Sequence, residues 1–326
     1  MNRKILIFLV VFTVSSSFQA SQRNFWGFSA HQQINRLAVF TLPPEMMGFY
    51  KKHIDFLTEN AVNPDKRRYA VDGEAPRHFI DLDVYGDSAA YKLPRRWDDA
   101  VAKYTEDSLM KHGIVPWFLP LIKAQLTAAF KEKNARKILR FSADLGHYAG
   151  DANVPLHTTR NYNGQLTAQQ GIHGFWETRL PELFSTDYDF FVGPATYLPS
   201  VQKAAWRAVT NANACLDSVL KFEQKLTTEF GETKKYVIDD RNGVMMKTYS
   251  AQFSERYHAA LKGQVERQMQ ASIKLTADLW FTAWVDAGQP DLKPLIDYQA
   301  SAQEQKETEE EKKGWFRQLF NARSEN

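Results

Sequence analysis

Cysteine is almost missing from this chain of 326 residues: Cys215 stands alone. A single thiol excludes an internal disulfide and a closed thiolate site for a structural metal, so folding must rest on the core and on other ligands. Long apolar runs are scarce as well. The one near the start, Ile5–Val14, is too short to span a bilayer. It follows Arg3 and Lys4 and precedes Phe18-Gln19-Ala20, the layout of an export leader cleaved before Ser21. No cysteine stands near that point to carry a lipid anchor, so the sequence predicts an exported protein, periplasmic or secreted. A large excess of one charge is also absent. Without Arg3 and Lys4, 39 of the 41 basic residues remain against 38 acidic ones, which supplies no global pull towards nucleic acid or an anionic membrane.

Internal repeats and Gly/Ser linkers are lacking, and runs of alternating polar and apolar residues are few, which argues against a large sheet. The expected organisation is a leader over residues 1–20, one all-α multi-helix domain over 21–299 and a charged tail over 300–326. With 44% hydrophobic residues the domain can bury a large core. Ser29 is placed to cap a helix running through Leu42, with Ile34, Leu37 and Ala38 as its apolar stripe and Pro43-Pro44 as its stop. Further helices are expected at about 44–59, 96–112, 117–132, 134–150, 173–183, 200–229, 246–261 and 263–287. Tyr188–Val192 is the best strand candidate. Trp117, Trp206, Trp280 and Trp284 read as core, and Trp176 has a second reading beside Glu177. In the tail, QEQKETEEEKK reads as a solvated helix or disorder. The Trp315, Phe316, Leu319 and Phe320 cluster after it either docks on the domain or touches a membrane surface.

What the chain does have is a concentration of histidine. Three of its eight histidines fall in residues 147–177, HYAGDANVPLHTTRNYNGQLTAQQGIHGFWE. His147 and Asp151 stand four residues apart, as do His173 and Glu177, and on a helix that interval places both side chains on one face. His157 lies between the pairs, just after Pro155. Upstream, WGFSAH supplies Trp26 and His31, NPDKRRY supplies Asp65, and RHFIDLD supplies His78. Imidazoles with carboxylates are the ligands of catalytic rather than closed structural zinc sites. Asp72 competes with Asp65, which is preferred for its distance from His78. Lys66-Arg67-Arg68 is the basic cluster beside these residues; it reads either as a phosphate-steering patch or as a solvated turn with surface ion pairs.

Taken in order, these nine residues resemble the zinc-dependent phospholipase C and single-strand nuclease superfamily, whose pattern is an early Trp and His, then Asp and His, then HxxxDxxxxxH followed by HxxxE or HxxxD. The resemblance spans residues 26–291. It implies the multi-helix fold of that family and up to three zinc ions. One would be held by Asp65, His78, His147 and Asp151, and a second by His157, His173 and Glu177. The third would use His31, the bridging Asp151 and the amino-terminal Trp, here Trp26. Cleavage before Ser21 departs from that pattern, because it leaves Trp26 as an internal residue whose peptide nitrogen is a poor ligand. The implied activity is hydrolysis of phosphate diesters, with Asp151 essential to the metal cluster and Asp65 also orienting or deprotonating the attacking water. The expected substrate is a phospholipid, met at a membrane surface, with single-stranded nucleic acid as the alternative and a non-catalytic zinc-binding envelope protein as a third reading. No protein partner is expected.

Overall fold

The computed structural model describes residues 28–241 and 244–324; the leader and Trp26 lie outside them. The described chain is mostly helical with one small sheet. The amino-terminal part holds α1 (Phe28–Val39), α2 (Pro44–Lys52), α3 (Ile54–Asn60) and the short α4 (Asn63–Arg67). Next come α5 (Trp97–Tyr104), α6 (Glu106–His112), α7 (Val115–Lys131) and α8 (Ala135–Asp151). A long α9 (Val201–Phe230) leads into a hairpin, followed by α10 (Ala251–Ala260), α11 (Gln264–Asp286) and α12 (Ala302–Ser324). Among the described residues, no single helix is long and apolar enough to cross a membrane.

Local chemistry explains most of these boundaries. Asn134 caps α8 by accepting the Lys137 N–H at 3.0 Å, and Ser200 caps α9 by accepting from Lys203 at 3.3 Å. Pro44 stands at the start of α2, where its missing N–H costs nothing. Several expectations need correction. Phe28 and Ser29 are already helical, so Ser29 is not a cap. The helix expected at 44–59 breaks at His53, and that at 96–112 breaks at Thr105, which adopts a φ of 66° and accepts the Ser108 N–H. The helix expected at 246–261 begins only at Ala251. Residues before it form β2 (Val244–Tyr249), antiparallel to β1 (Tyr236–Arg241), in a register from Tyr236 opposite Tyr249 to Arg241 opposite Val244. That register leaves Asn242-Gly243 between the strands, a dipeptide favoured in hairpins, and this local signal outweighs the helical reading. Tyr188–Val192 joins no sheet among the described residues.

Two apolar clusters are joined by shared helices. The larger gathers Ile34, Phe49, Tyr50, Leu145, Tyr148, Trp206 and Trp280; the smaller gathers Leu156, Phe175, Trp176, Val219, Phe253 and Tyr257. Helices α9 and α11 run through both, so the clusters cannot separate without breaking a helix. Helix α1 packs on α3, α8 and α11, with Ala30 in the smaller cluster and Ile34 in the larger. The histidines lie at this seam.

Close approach of α1 to α8 depends on two glycines. A Cβ on Gly146 would collide with Asn35 Oδ1, and one on Gly150 would lie 2.9 Å from His31 Nδ1. Asn35 uses its amide to donate to the Leu57 and Ala143 carbonyls at 3.2 and 3.0 Å, which pins α1 in register. Gly150→Ala is therefore expected to displace His31 and weaken the metal ion that His31 would hold by about tenfold or more, while leaving ions away from His31 in place. Metal titration of the purified variant checks this; unchanged binding at every site would remove Gly150 from the account.

The tail forms α12 and docks. Arg136 pairs with Glu307 at 2.9 Å, Arg140 with Glu311 at 2.9 Å, and Trp315 is 8% exposed. Of the two readings for the aromatic cluster, Trp315 takes docking on the domain; the side chains of Phe316, Leu319 and Phe320 lie outside the described ones.

Candidate metal centre

Eight residues converge at the seam from seven separate segments. His31 comes from α1, Asp65 from α4, and His78 from the end of the turn Ala75–His78. His147 and Asp151 occupy the last turn of α8. His157 sits in the turn Pro155–Thr158, His173 in Ile172–Gly174 and Glu177 in the π-helical Phe175–Arg179. A π-helical turn is uncommon and recurs at functional sites. Trp26, the ninth residue of the pattern, lies outside the described residues, and the exposed Asp72 belongs to no such group.

Three ligand atoms meet in the first group, His78 Nδ1, His147 Nε2 and Asp151 Oδ2, and Asp65 Oδ1 joins at its edge through His147, in a triplet that also includes His31. His78 is 2.9 Å from Asp151 and 3.0 Å from His147, which is 3.2 Å from Asp151. Asp65 lies 3.6 Å from both imidazoles. Ligands about 2.0–2.1 Å from a tetrahedral ion stand about 3.3 Å from one another, within this range. Two imidazole nitrogens pointed at each other with carboxylates beside them make poor use of their lone pairs unless a cation stands between them.

The second group is His157 Nε2, His173 Nε2 and Glu177 Oε2. The two nitrogens are 2.9 Å apart, and the carboxylate oxygen is 2.7 Å from His173 and 3.5 Å from His157. Three ligands leave one tetrahedral corner free, and His173 at 21% exposure places that side towards solvent. His157 Nδ1 lies 2.7 Å from the His78 carbonyl; donating there leaves Nε2 as the ligand atom.

His31 links the groups. Its Nε2 is 3.4 Å from Asp151 Oδ1 and 3.3 Å from Glu177 Oε1. Asp151 thus offers one oxygen to the first group and the other to His31, and Glu177 is divided in the same way between the second group and His31. The bridging by Glu177 was not expected from the sequence, which assigned it to one ion.

The two bridging carboxylates stay ionised in the centre. Burial alone would raise the Asp151 carboxyl, but His147 and His157 outweigh it and hold it well below the usual range. Burial acts likewise on Glu177 and is outweighed by His157 and His173. For His31, burial opposes charge, yet the hydrogen bonds and fields of Asp151 and Glu177 raise its pKa well above the usual value. His147 differs: burial lowers it despite the opposing field of Asp151, and neighbouring His31 adds to the lowering. These buried His, Asp and Glu clusters can hold metal ions.

Other residues at the centre escaped sequence reasoning. Glu74 is fully buried and its Oε1 lies 3.7 Å from His78 Nε2, the ring atom turned away from the first group. It stands four residues before His78, the same interval that exposed the other pairs, so spacing alone could have flagged it. Arg67 is neither solvated nor free to steer phosphate: it is buried against Glu74 and Asp144. Arg68 remains half-buried over the Phe79 ring, near enough to His157 to oppose its charge. Phe175 and Trp176 are core residues, and the Trp176 indole donates to Gln264 Oε1 at 3.2 Å. Tyr162, half-exposed, stands with its ring 5.9 Å from that of His173.

Neither the protein-family models nor the curated proteins contain a match to this chain.

Proposed function

We propose that the protein is an exported, zinc-dependent hydrolase of phosphate diesters, of the phospholipase C kind. The observation that carries this reading is the doubly bridged cluster, in which Asp151 and Glu177 each divide their two oxygens between ligand groups. The donor set is nitrogen and carboxylate oxygen without thiolate, which fits catalytic zinc. When bound, zinc lowers the pKa of water towards neutrality and offsets charge on phosphoryl oxygens.

The chain's own residues supply the rest. Asp65 is 26% exposed, the most accessible carboxylate of the first group, and can orient a water molecule and accept its proton. The His157 contact to the His78 carbonyl fixes its ring, so the open side of the second group keeps its aim. Arg68 lies beside His157 and can attract the phosphate before it reaches the centre.

Of the aromatics beside the centre named above, Phe175 and Trp176 are buried, which leaves Tyr162 as the accessible one. A site that binds single strands uses several stacking faces, so this favours a lipid substrate. The test is hydrolysis of phosphatidylcholine vesicles, single-stranded DNA and single-stranded RNA by the zinc-loaded protein, repeated after chelation and after zinc is restored. Zinc-dependent release of phosphocholine alone is expected. Nucleotide release alone would make the protein a nuclease, and tight zinc binding without turnover on any substrate would favour the non-catalytic envelope protein.

A further inference from the structure

A cavity of about 270 Å³ opens along the first half of α9 and shares no lining residue with the metal centre. Arg95, Lys203 and Arg207 line it, and no carboxylate does. Lys203 and Arg207 are exposed and four residues apart on α9, an interval at which like charges repel unless an anion lies between them. Arg95 reaches the same space from the loop before α5. Its guanidinium lies 4.0 Å over the Trp206 ring and donates through Nη2 to the Ala90 carbonyl at 2.7 Å. None of the three cations pairs with a carboxylate among the described residues.

Two donors of the residues that line this cavity have no hydrogen-bond partner among the described residues. Arg95 Nη1 and Trp206 Nε1 are both buried without a hydrogen-bond partner, and Trp206 as a whole is 3% exposed. Burial of such donors is costly unless a partner arrives. Burial lowers the Arg95 pKa, and no neighbouring charge offsets that effect. The surplus is therefore of one kind: cations and N–H donors, with no anionic acceptor supplied by the chain.

We infer that this cavity is an anion site that takes the phosphate group of a small molecule, held by Arg95 and Arg207 with the Trp206 indole N–H as a further donor. Three uncompensated cations favour a dianion over a single carboxylate, and a planar guanidinium suits paired phosphate oxygens. The volume exceeds that of a bare ion and admits the remainder of a phosphomonoester. Helix α9 also connects the cavity to the metal centre's surroundings: Asn213, just beyond it, donates to Thr158 Oγ at 3.0 Å, next to His157. The inference does not depend on the hydrolase reading.

The test follows the indole N–H resonance of Trp206 in the full-length, metal-loaded protein, assigned by its loss in Trp206→Phe, during titration with inorganic phosphate and with glycerol 3-phosphate. A saturable shift is expected, weakened about tenfold or more in Arg95→Gln/Arg207→Gln. Lys203→Gln, a change at an exposed position, should weaken it less and guards against misfolding of the double variant. Asp151→Ala should leave the titration intact, which separates this cavity from phosphate bound at the metals. Tighter binding of glycerol 3-phosphate identifies an ester as the ligand; equal or tighter binding of inorganic phosphate identifies the free ion. No shift with either probe, or the same titration in wild type and both charge variants, would overturn the inference.

Discussion

Asp151→Ala is expected to strip metal from two ligand groups at once and to lower the proposed phosphodiester turnover by roughly a thousandfold or more. The reason is geometric. Asp151 Oδ2 lies 2.9 Å from His78 and 3.2 Å from His147, while Oδ1 lies 3.4 Å from His31. Asp65, 3.6 Å from His78 and His147, offers its oxygen to the first group only, and water cannot supply the charge that Asp151 shares between the two. His157, His173 and Oε2 of Glu177 do not depend on Asp151 for their mutual geometry, so the variant should keep one ion at that group. Elemental analysis of the purified protein is the direct measurement. Thermal unfolding gives a second: chelation should destabilise the wild type, by about 2.7 kcal/mol if metal had been present at a hundred times its dissociation constant, and should destabilise the variant less. A variant that retained full metal content and near-normal turnover would show that the bridging oxygens serve only to balance imidazole charge.

Sequence reasoning reached this centre because parts of it are local. The four-residue intervals of His147 with Asp151 and of His173 with Glu177 are local, the first within α8 and the second across the junction of Ile172–Gly174 with the π-helical turn, and both pairs close to contact at 3.2 and 2.7 Å. His31, Asp65 and His78 join through long-range packing, which the order of residues along the chain suggests only by resemblance. The glycines that admit His31 carry no chemical label: Gly146 and Gly150 matter for the side chains they lack. Glu74 and Arg67 were obscured for another reason. A basic triplet beside prolines reads as a surface turn, and nothing local shows that Asp144, seventy-seven residues later, will bury the middle member. In the fold, apolar periodicity located most helices, but it cannot distinguish a helical stretch from a hairpin where β-branched and polar residues mix, as in Tyr236–Tyr249. Nor does periodicity reveal breaks such as His53 and Thr105, where the apolar pattern continues across a change of direction.

Arg67→Met should be the most destabilising single change at the centre that touches no proposed metal ligand, at about 3–5 kcal/mol, or roughly 6–10 °C in Tm. Its guanidinium is fully engaged. Nε is 3.1 Å from Glu74, Nη1 and Nη2 meet the two oxygens of Asp144 at 3.1 and 3.0 Å, and Nη2 also donates to Tyr148 Oη at 2.9 Å. Methionine fills similar space but leaves Asp144 buried with no other charged partner among the described residues, whereas Glu74 keeps Arg77 at 2.8 Å. Adding Asp144→Asn and Glu74→Gln should recover much of the loss, because the penalty comes from unpaired charge rather than from missing volume. Arg67→Lys should fall between, since one ammonium cannot span both carboxylates. Helix α4 carries Asp65 as well as Arg67, and Glu74 lies behind His78, so the same variant should bind metal more weakly in the first group. Asp65→Asn provides the contrast: it should weaken metal without a comparable fall in Tm, because Asp65 is partly exposed. If Arg67→Met melted within about 2 °C of wild type, the buried charges would have found water or protons instead, and Arg67 could not be what holds α4 and Glu74 against α8.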